Sequence, residues 1–335
     1  MDIKKRKNLH CGLLECAFLL LMLCGSFAIF AAMKTYAEME ILCERAFNDN
    51  GPFWHVCTDG SVMSDIFYSD EEMKVGMIVL AVCAALSAQV ELVTFELMNN
   101  HIHFIMRGGM AECLDFFEMF KRRLKRWCQR EDRPVDWSRF VAQILGIDSL
   151  QALRNEIVYV NRNAYVANRM YTPFSYPWGG GWAYFSSVIG LLPTVSVREM
   201  GARRVREMTH YRDIEEIAGL RFVGDVPFIP SFCRVDLGQS MFRDARHYFH
   251  LLTRNAEAFS QIALRLKDAV FLTDEEVFVV ASRCAKEMFS AELKMLTPEQ
   301  KIKLARKLHF EYNASNRLLR RVLGLEMSIL EELFP

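Results

Sequence analysis

The chain has 335 residues and equal numbers of basic and acidic side chains, 41 Lys+Arg against 41 Asp+Glu, so net charge points to no particular class of partner. Its length suits two domains of ordinary size. Ten cysteines lie scattered with no Cys-x-x-Cys pair, which excludes a sequence-evident zinc framework or a small disulfide-stapled fold and reads as reduced packing residues of a cytoplasmic protein.

The N-terminus opens with Lys4-Lys5-Arg6-Lys7 and continues into the uncharged stretch Cys16–Met33. Eighteen such residues sit at the lower limit for crossing a bilayer, with the basic end held inside the cell. The alternative is that translation begins at Met33. Residues 1–48 are therefore expected to be a hydrophobic leader, with membrane association only if residues 16–33 are translated and inserted.

Pro52–Thr58 reads as a strand closed by the turn pair Asp59-Gly60. Ser69-Asp-Glu-Glu72 is a capping box opening an apolar helix through about Ala88. Glu91–Met98 and His101–Met106 are β-like runs joined at Asn99-Asn100, a pair suited to a tight hairpin. A long helix, roughly Ala111–Glu131, follows, with Leu114, Phe117, Phe120, Leu124 and Trp127 at three- and four-residue steps. Pro134–Ile147 reads as a connecting region, Ser149–Asn168 as a helix, and Tyr171–Gly181 as a Pro/Gly/aromatic loop. The order strand, helix, hairpin, helix, helix predicts an α+β layer fold, an antiparallel sheet covered by helices, followed by a mostly α-helical C-terminal domain. Thr273-Asp-Glu-Glu276 and Thr297-Pro-Glu-Gln300 mark two further helix starts.

The hairpin carries the chemistry. On a strand, residues i and i+2 share a face, so His101 and His103 present two imidazoles side by side. Either is, by itself, an ordinary hydrogen-bonded strand histidine. Together they can hold a divalent metal if a third ligand arrives from elsewhere. In the helix Ser149–Asn168, Tyr159 and Asn163 stand at i, i+4 and share a face. Asn163 then offers the third ligand and Tyr159 a nucleophile. A phenol with an ordinary pKa near ~10 attacks poorly at neutral pH, so a neighbouring cation must favour its phenolate. Lys121, Arg122, Arg123, Lys125 and Arg126 crowd one helix, and Arg203, Arg204 and Arg206 form a second cluster. Such runs read either as solvated faces or as phosphate-binding surfaces.

Leu97-Met98-Asn99-Asn100-His101-Ile102-His103-Phe104 resembles the "M-P-N-H-x-H" signature of HUH-type single-tyrosine transposases. Tyr159-Val-Asn-Arg-Asn163 resembles that family's "Y-I-x-x-N-P-V" helix, and Tyr176-Pro177-Trp178 its "Y-P-W-S-S-Y" loop. The marks are those of REP-associated tyrosine transposases and their insertion-sequence cousins, in the same order and at similar spacing over about residues 50–185. The resemblance implies a ferredoxin-like catalytic domain over residues 49–188, usually dimeric, acting on single-stranded or hairpin DNA. It implies Tyr159 attack on a DNA phosphate, leaving a 5′-phosphotyrosine and a free 3′-hydroxyl, with His101, His103 and Asn163 holding Mg²⁺ or Mn²⁺. Two imidazoles lean the preference toward Mn²⁺. The basic helix Lys121–Arg126 becomes a DNA-contacting surface with salt-dependent affinity, and Trp178, Trp182 and Tyr184 either stack on bases or pack the core. The chain departs from the pattern at Asn99 and Ala164, where the family has Pro, and at Gly179-Gly180-Gly181, where it has Ser-Ser.

Residues 189–335 are expected to be a helical DNA-binding or oligomerising domain. Within Leu296–Pro335, Ser315 caps a helix to about Leu323, Gly324 turns, and Glu326–Phe334 is a second helix, in the manner of a helix-turn-helix tail or a plain bundle end. Two alternatives to a transposase follow from the same residues: a DNA-binding regulator of this fold without cleavage, and a membrane-anchored structural protein whose histidines only pack.

Overall fold

The computed structural model describes residues 35–334 apart from 168–170, 173, 255 and 267–271, so the expected apolar segment Cys16–Met33 lies outside the described residues. Among the described residues no helix is long and apolar enough to cross a membrane.

Helix α1 (Tyr36–Asn50) starts at Thr35, whose side chain accepts from the Glu38 amide while Glu38 reaches back to the Thr35 amide. The central layer then follows as β1 (Phe53–Cys57), α2 (Asp70–Leu86), β2 (Glu91–Leu97), β3 (Ile102–Arg107), α3 (Met110–Arg130) and β4 (Gln143–Ile147). Its sheet is antiparallel throughout, in the order β2-β3-β1-β4. A register shift between Leu92 and Thr94 sets Glu96 opposite His103. Strand β4 lies inside the segment expected to be a connection. It is a half-exposed edge strand with no alternation of polarity, and pairing with β1 makes it a strand. Its Gly146 lies against the Trp54 ring, where a Cβ would stand 3.2 Å away.

One face of this sheet is dry and apolar. The Phe104 ring meets Phe116 at 6.0 Å and Phe120 at 5.3 Å, so α3 covers it, and Gly76 brings α2 close to Leu97 beside it. The other face receives α4 (Leu150–Ala167), making three layers. The outer edge of β2 is closed by later segments: Leu97 N–H donates to Trp178 O (3.0 Å), Gly180 N–H to Phe95 O (2.8 Å) and Arg234 N–H to Leu92 O (2.7 Å). This explains the glycine run. A Cβ on Gly180 would stand 2.6 Å from Thr94 Oγ1 and one on Gly181 2.9 Å from Asn161 O, so larger residues would push the loop off both elements.

A small sheet, β5 (Val195–Ser196), β6 (Arg221–Val223) and β7 (Val226–Pro227), follows with the short helices α5 (Val197–Met200), α6 (Ala202–Thr209) and α7 (Val235–Ser240). Helices α8 (Ala245–Arg254) and α9 (Ala256–Leu266) then pack on α4. The expected boundary at 188/189 is therefore not where the cores divide. One core runs from Cys43 to Leu266, and a second joins Val277 to Phe334. Tyr248, Leu252, Phe259 and Ile262 cover α4, which residues 49–188 by themselves would leave bare.

The second core is built by α10 (Asp274–Phe289), α11 (Pro298–Tyr312), α12 (Asn316–Leu323) and α13 (Met327–Leu333). Both expected capping boxes form, and Gly324 takes a left-handed φ of 64° between α12 and α13. A buried ion pair joins this unit to α4: Arg162 donates to Glu276 at 2.6 Å, with the guanidinium 3.9 Å from the Phe259 ring centre. Burial presses the Arg162 guanidinium below its ordinary pKa, and Glu276 opposes that shift.

Candidate functional site

Antiparallel register decides which side chains meet. Cys57 pairs with His103, His55 with Ile105, Glu96 with His103 and Thr94 with Ile105. Directly opposed residues share a face, so His55, Cys57, Thr94, Glu96 and His103 all project toward α4. On α4, Glu156, Tyr159 and Asn163 fall at i, i+3 and i+7, one stripe of the helix.

The structure brings the four sequence-predicted chemical residues together within one chain. The His101 ring stands edge-on to His103 with centres 5.2 Å apart, and the Tyr159 ring meets His103 at 5.7 Å. Asn163 Nδ2 lies 3.0 Å from His103 Nε2. Exposure rises from 0% at His103 through 6% at Tyr159 to 9% at His101, so the site opens on the Asn99-Asn100 side. Next to Asn99 and Asn100 a cavity of about 480 Å³ is walled by Tyr68, Ala164, Tyr171, Tyr176 and Trp178 and by the carboxylates Asp65 and Asp70, and none of those four residues lines it.

His101 is held by its neighbour. Asn100 Nδ2 donates to Gly60 O (2.8 Å) and Met63 O (3.2 Å), leaving Asn100 Oδ1 to contact His101 Nδ1 at 2.8 Å. The turn crosses so closely over this ring that a Cβ on Gly60 would sit 2.7 Å from Nδ1.

Two further residues of this buried cluster escaped the sequence reading. His55 Nδ1 lies 2.8 Å from Glu156 Oε2, and His55 Nε2 lies 3.1 Å from His103 Nδ1. Both are fully or nearly fully buried. The signals were present: an imidazole alone in the apolar strand Phe53–Cys57, and a carboxylate three residues before Tyr159. Arg265 adds a longer contact to Glu156 at 3.7 Å. Donor atoms of His55, Cys57 and His103 also lie within 4.8 Å of one another, a second set able to hold a metal. Either set has imidazole nitrogens, which suit a transition metal.

Glu96 explains a departure from the family pattern. Its carboxyl is buried and accepts from the Ala164 N–H, a donor that a proline at this position would lack. Burial pushes the Glu96 carboxyl well above the usual carboxylate range, against the opposing effect of that hydrogen bond.

The basic cluster lies elsewhere. Lys121, Arg122, Arg123, Lys125 and Arg126 ride on α3, whose other side packs on Phe104, in the layer opposite α4. Arg123, Arg126 and Arg130 flank Met208–His210 at the end of α6, with Arg123 stacked 5.0 Å from the Tyr211 ring centre. Arg203 and Arg204 pair with Glu207 and Asp225. Of the aromatic residues, Tyr184 is core: its hydroxyl donates to Val93 O and its ring stacks 5.4 Å from Tyr248. Trp178 lines the cavity, and Trp182, four residues on, is half-buried.

No family model, curated protein or solved structure matches the chain.

Proposed function

We propose that the chain cleaves and rejoins single-stranded DNA through Tyr159, as the motif resemblance implies. One observation carries the reading: the stripe of α4 that bears Tyr159 and Asn163 faces the paired histidines of β3, with Asn163 3.0 Å from His103. The element order β1-α2-β2-β3-α3-β4 and the sheet order β2-β3-β1-β4 support a ferredoxin-like description of this layer.

The donor chemistry fits a divalent cation. His101 and His103 each offer an imidazole nitrogen, and Asn163 offers an amide oxygen after a half-turn about its terminal torsion. When bound there, Mg²⁺ or Mn²⁺ would neutralise charge on the phosphate under attack. The chain's own residues do the rest. Tyr159 Oη bonds to phosphorus, the P–O3′ bond breaks, and the departing oxygen takes up a proton in place of the one the phenol gave up. The phosphotyrosine keeps the phosphodiester energy for rejoining, so no nucleotide cofactor is needed. Tyr68, Tyr171 and Tyr176 at the cavity offer rings for unpaired bases to stack on.

The basic face of α3 lies in the opposite layer, so its phosphate contacts belong to a part of the DNA away from the scissile bond. The site needs no second copy to bring Tyr159 to His103. A homodimer would therefore serve to pair two DNA ends rather than to complete one site.

Incubation with a hairpin oligonucleotide and Mn²⁺ is expected to give a covalent protein–DNA adduct that Tyr159→Phe abolishes. An adduct of equal yield in the variant would remove Tyr159 as nucleophile. Hairpin binding without cleavage, unchanged by His101→Ala, would favour the non-cleaving regulator.

A further inference from the structure

We infer that Glu156 and His55 are positioning residues that preset His103 in one tautomer, with Nδ1 protonated and Nε2 bare for a ligand. The inference rests on the metal-site reading above, extends it to residues outside the motif, and follows from counting protons along one buried chain of contacts.

The chain begins at a group that only accepts. A Glu156 carboxylate oxygen 2.8 Å from His55 Nδ1 requires the proton to sit on that nitrogen. Neutral His55 then has a bare Nε2, which is 3.1 Å from His103 Nδ1 and must accept from it. His103 is thereby left with a bare Nε2, the atom facing Asn163, whose Nδ2 donates to it at 3.0 Å. With His55 neutral, every donor along this line meets an acceptor. In reverse, His55 Nδ1 would carry a lone pair toward the carboxylate.

His101 reaches the same state by a separate route. Because both backbone carbonyls at Gly60 and Met63 claim the Asn100 amide nitrogen, Asn100 Oδ1 faces His101 Nδ1 and requires a proton there. The two histidines thus carry the same tautomer, each with Nε2 as its ligand nitrogen.

The physical advantage is preorganisation. A ring fixed by a partner on its far nitrogen loses no orientational freedom on ligation, and a carboxylate at the end of the line makes the ligand nitrogen more basic. His55 is 0% and Glu156 2% exposed, so water does not compete for either bond.

Three measurements test this. Long-range ¹H–¹⁵N spectra of the metal-free full chain are expected to show His103 and His101 protonated at Nδ1 and bare at Nε2. A proton on His103 Nε2 would overturn the proposal without any variant being made. Titration with Mn²⁺ alone is expected to show His55→Phe binding about 10–100-fold more weakly, as loss of such outer partners usually does. His55→Gln, whose amide oxygen still accepts from Nδ1, should recover part of that affinity. Equal affinities of folded wild type and His55→Phe would reduce His55 to packing and sink the idea. The Co²⁺-substituted protein is expected to lack thiolate-to-cobalt absorption. Its presence would place Cys57 in the shell, with His55 beside it as a direct ligand, and overturn the relay. None of these readouts depends on Tyr159 chemistry, so an absent DNA adduct with a correct tautomer would reject the nuclease and keep the relay.

Discussion

The two faces of the four-stranded sheet are made from the same strands and bury different kinds of side chain. Toward α2 and α3 the sheet presents Val56, Phe95, Leu97, Ile102, Phe104 and Met106, closed by Phe116, Phe120 and Leu124. Toward α4 it presents His55, Thr94, Glu96 and His103, met by Glu156 and Asn163. Both faces are buried. Large apolar side chains on the first give stability of about 1.5–3 kcal/mol each relative to exposure. Polar groups on the second cost free energy unless each is hydrogen-bonded, and a well-packed apolar replacement is often as stable or more so. The lesson is that hydrogen bonds on the α4 face offset a burial cost that the α3 face never incurs.

The comparison can be broken most sharply by a pair of substitutions. Tyr159→Phe should remove adduct formation altogether while changing unfolding free energy by only about 1 kcal/mol, the worth of one hydroxyl. Phe104→Ala should do the reverse, costing about 3–5 kcal/mol in urea unfolding with adduct yield per folded molecule retained. If both variants lost activity and stability in step, the two faces would not be separable.

Next in size is the junction to the C-terminal core. Glu276→Ala strands the buried Arg162 and removes the carboxylate that accepts from the Thr273 amide at 2.8 Å. A loss of about 3–5 kcal/mol is expected in denaturant unfolding, as for other broken buried pairs. Because Arg162 lies between Asn161 and Asn163, the variant should also slow cleavage. Unchanged stability would show that the ion pair is dispensable.

The smallest effect concerns Glu96. Its folded pKa is raised by burial, so the protonated acid is the form the fold prefers. Its contribution is complete below the ordinary carboxylate value of about 4.3 and is lost as pH climbs through the raised folded value. Glu96→Gln, which keeps an acceptor for the Ala164 amide, should leave stability unchanged at acid pH and raise it by about 1–3 kcal/mol at alkaline pH. A melting-temperature difference independent of pH would refute the assignment.

Much of the site was legible because its signals are local. The i, i+2 spacing of His101 and His103 and the i, i+4 spacing of Tyr159 and Asn163 are properties of a strand and a helix taken singly. Neither spacing says that the two elements face each other, and the structure places α4 over β3. His55 and Glu156 were illegible as a pair because they lie 101 residues apart and meet only through sheet register and helix packing. The basic run on α3 shows the same limit: charge density is visible in sequence, but the layer it occupies is not.

By itself the sequence determined the start of four helices and the end of one. Capping side chains at Ser69, Thr273, Thr297 and Ser315 bond backbone amides three residues on, and Gly324 takes a turn that other residues resist. Such interactions span a single turn, so the residues that make them stand together in the chain. Tertiary structure decided what no local rule contains. It made β4 a strand through its partner β1, covered α4 with residues 245–266, moved the division between cores to between Leu266 and Val277, and closed the Glu156–His55–His103 line. Each of these depends on contacts between residues distant in sequence, whose energies exist only once the layers have come together.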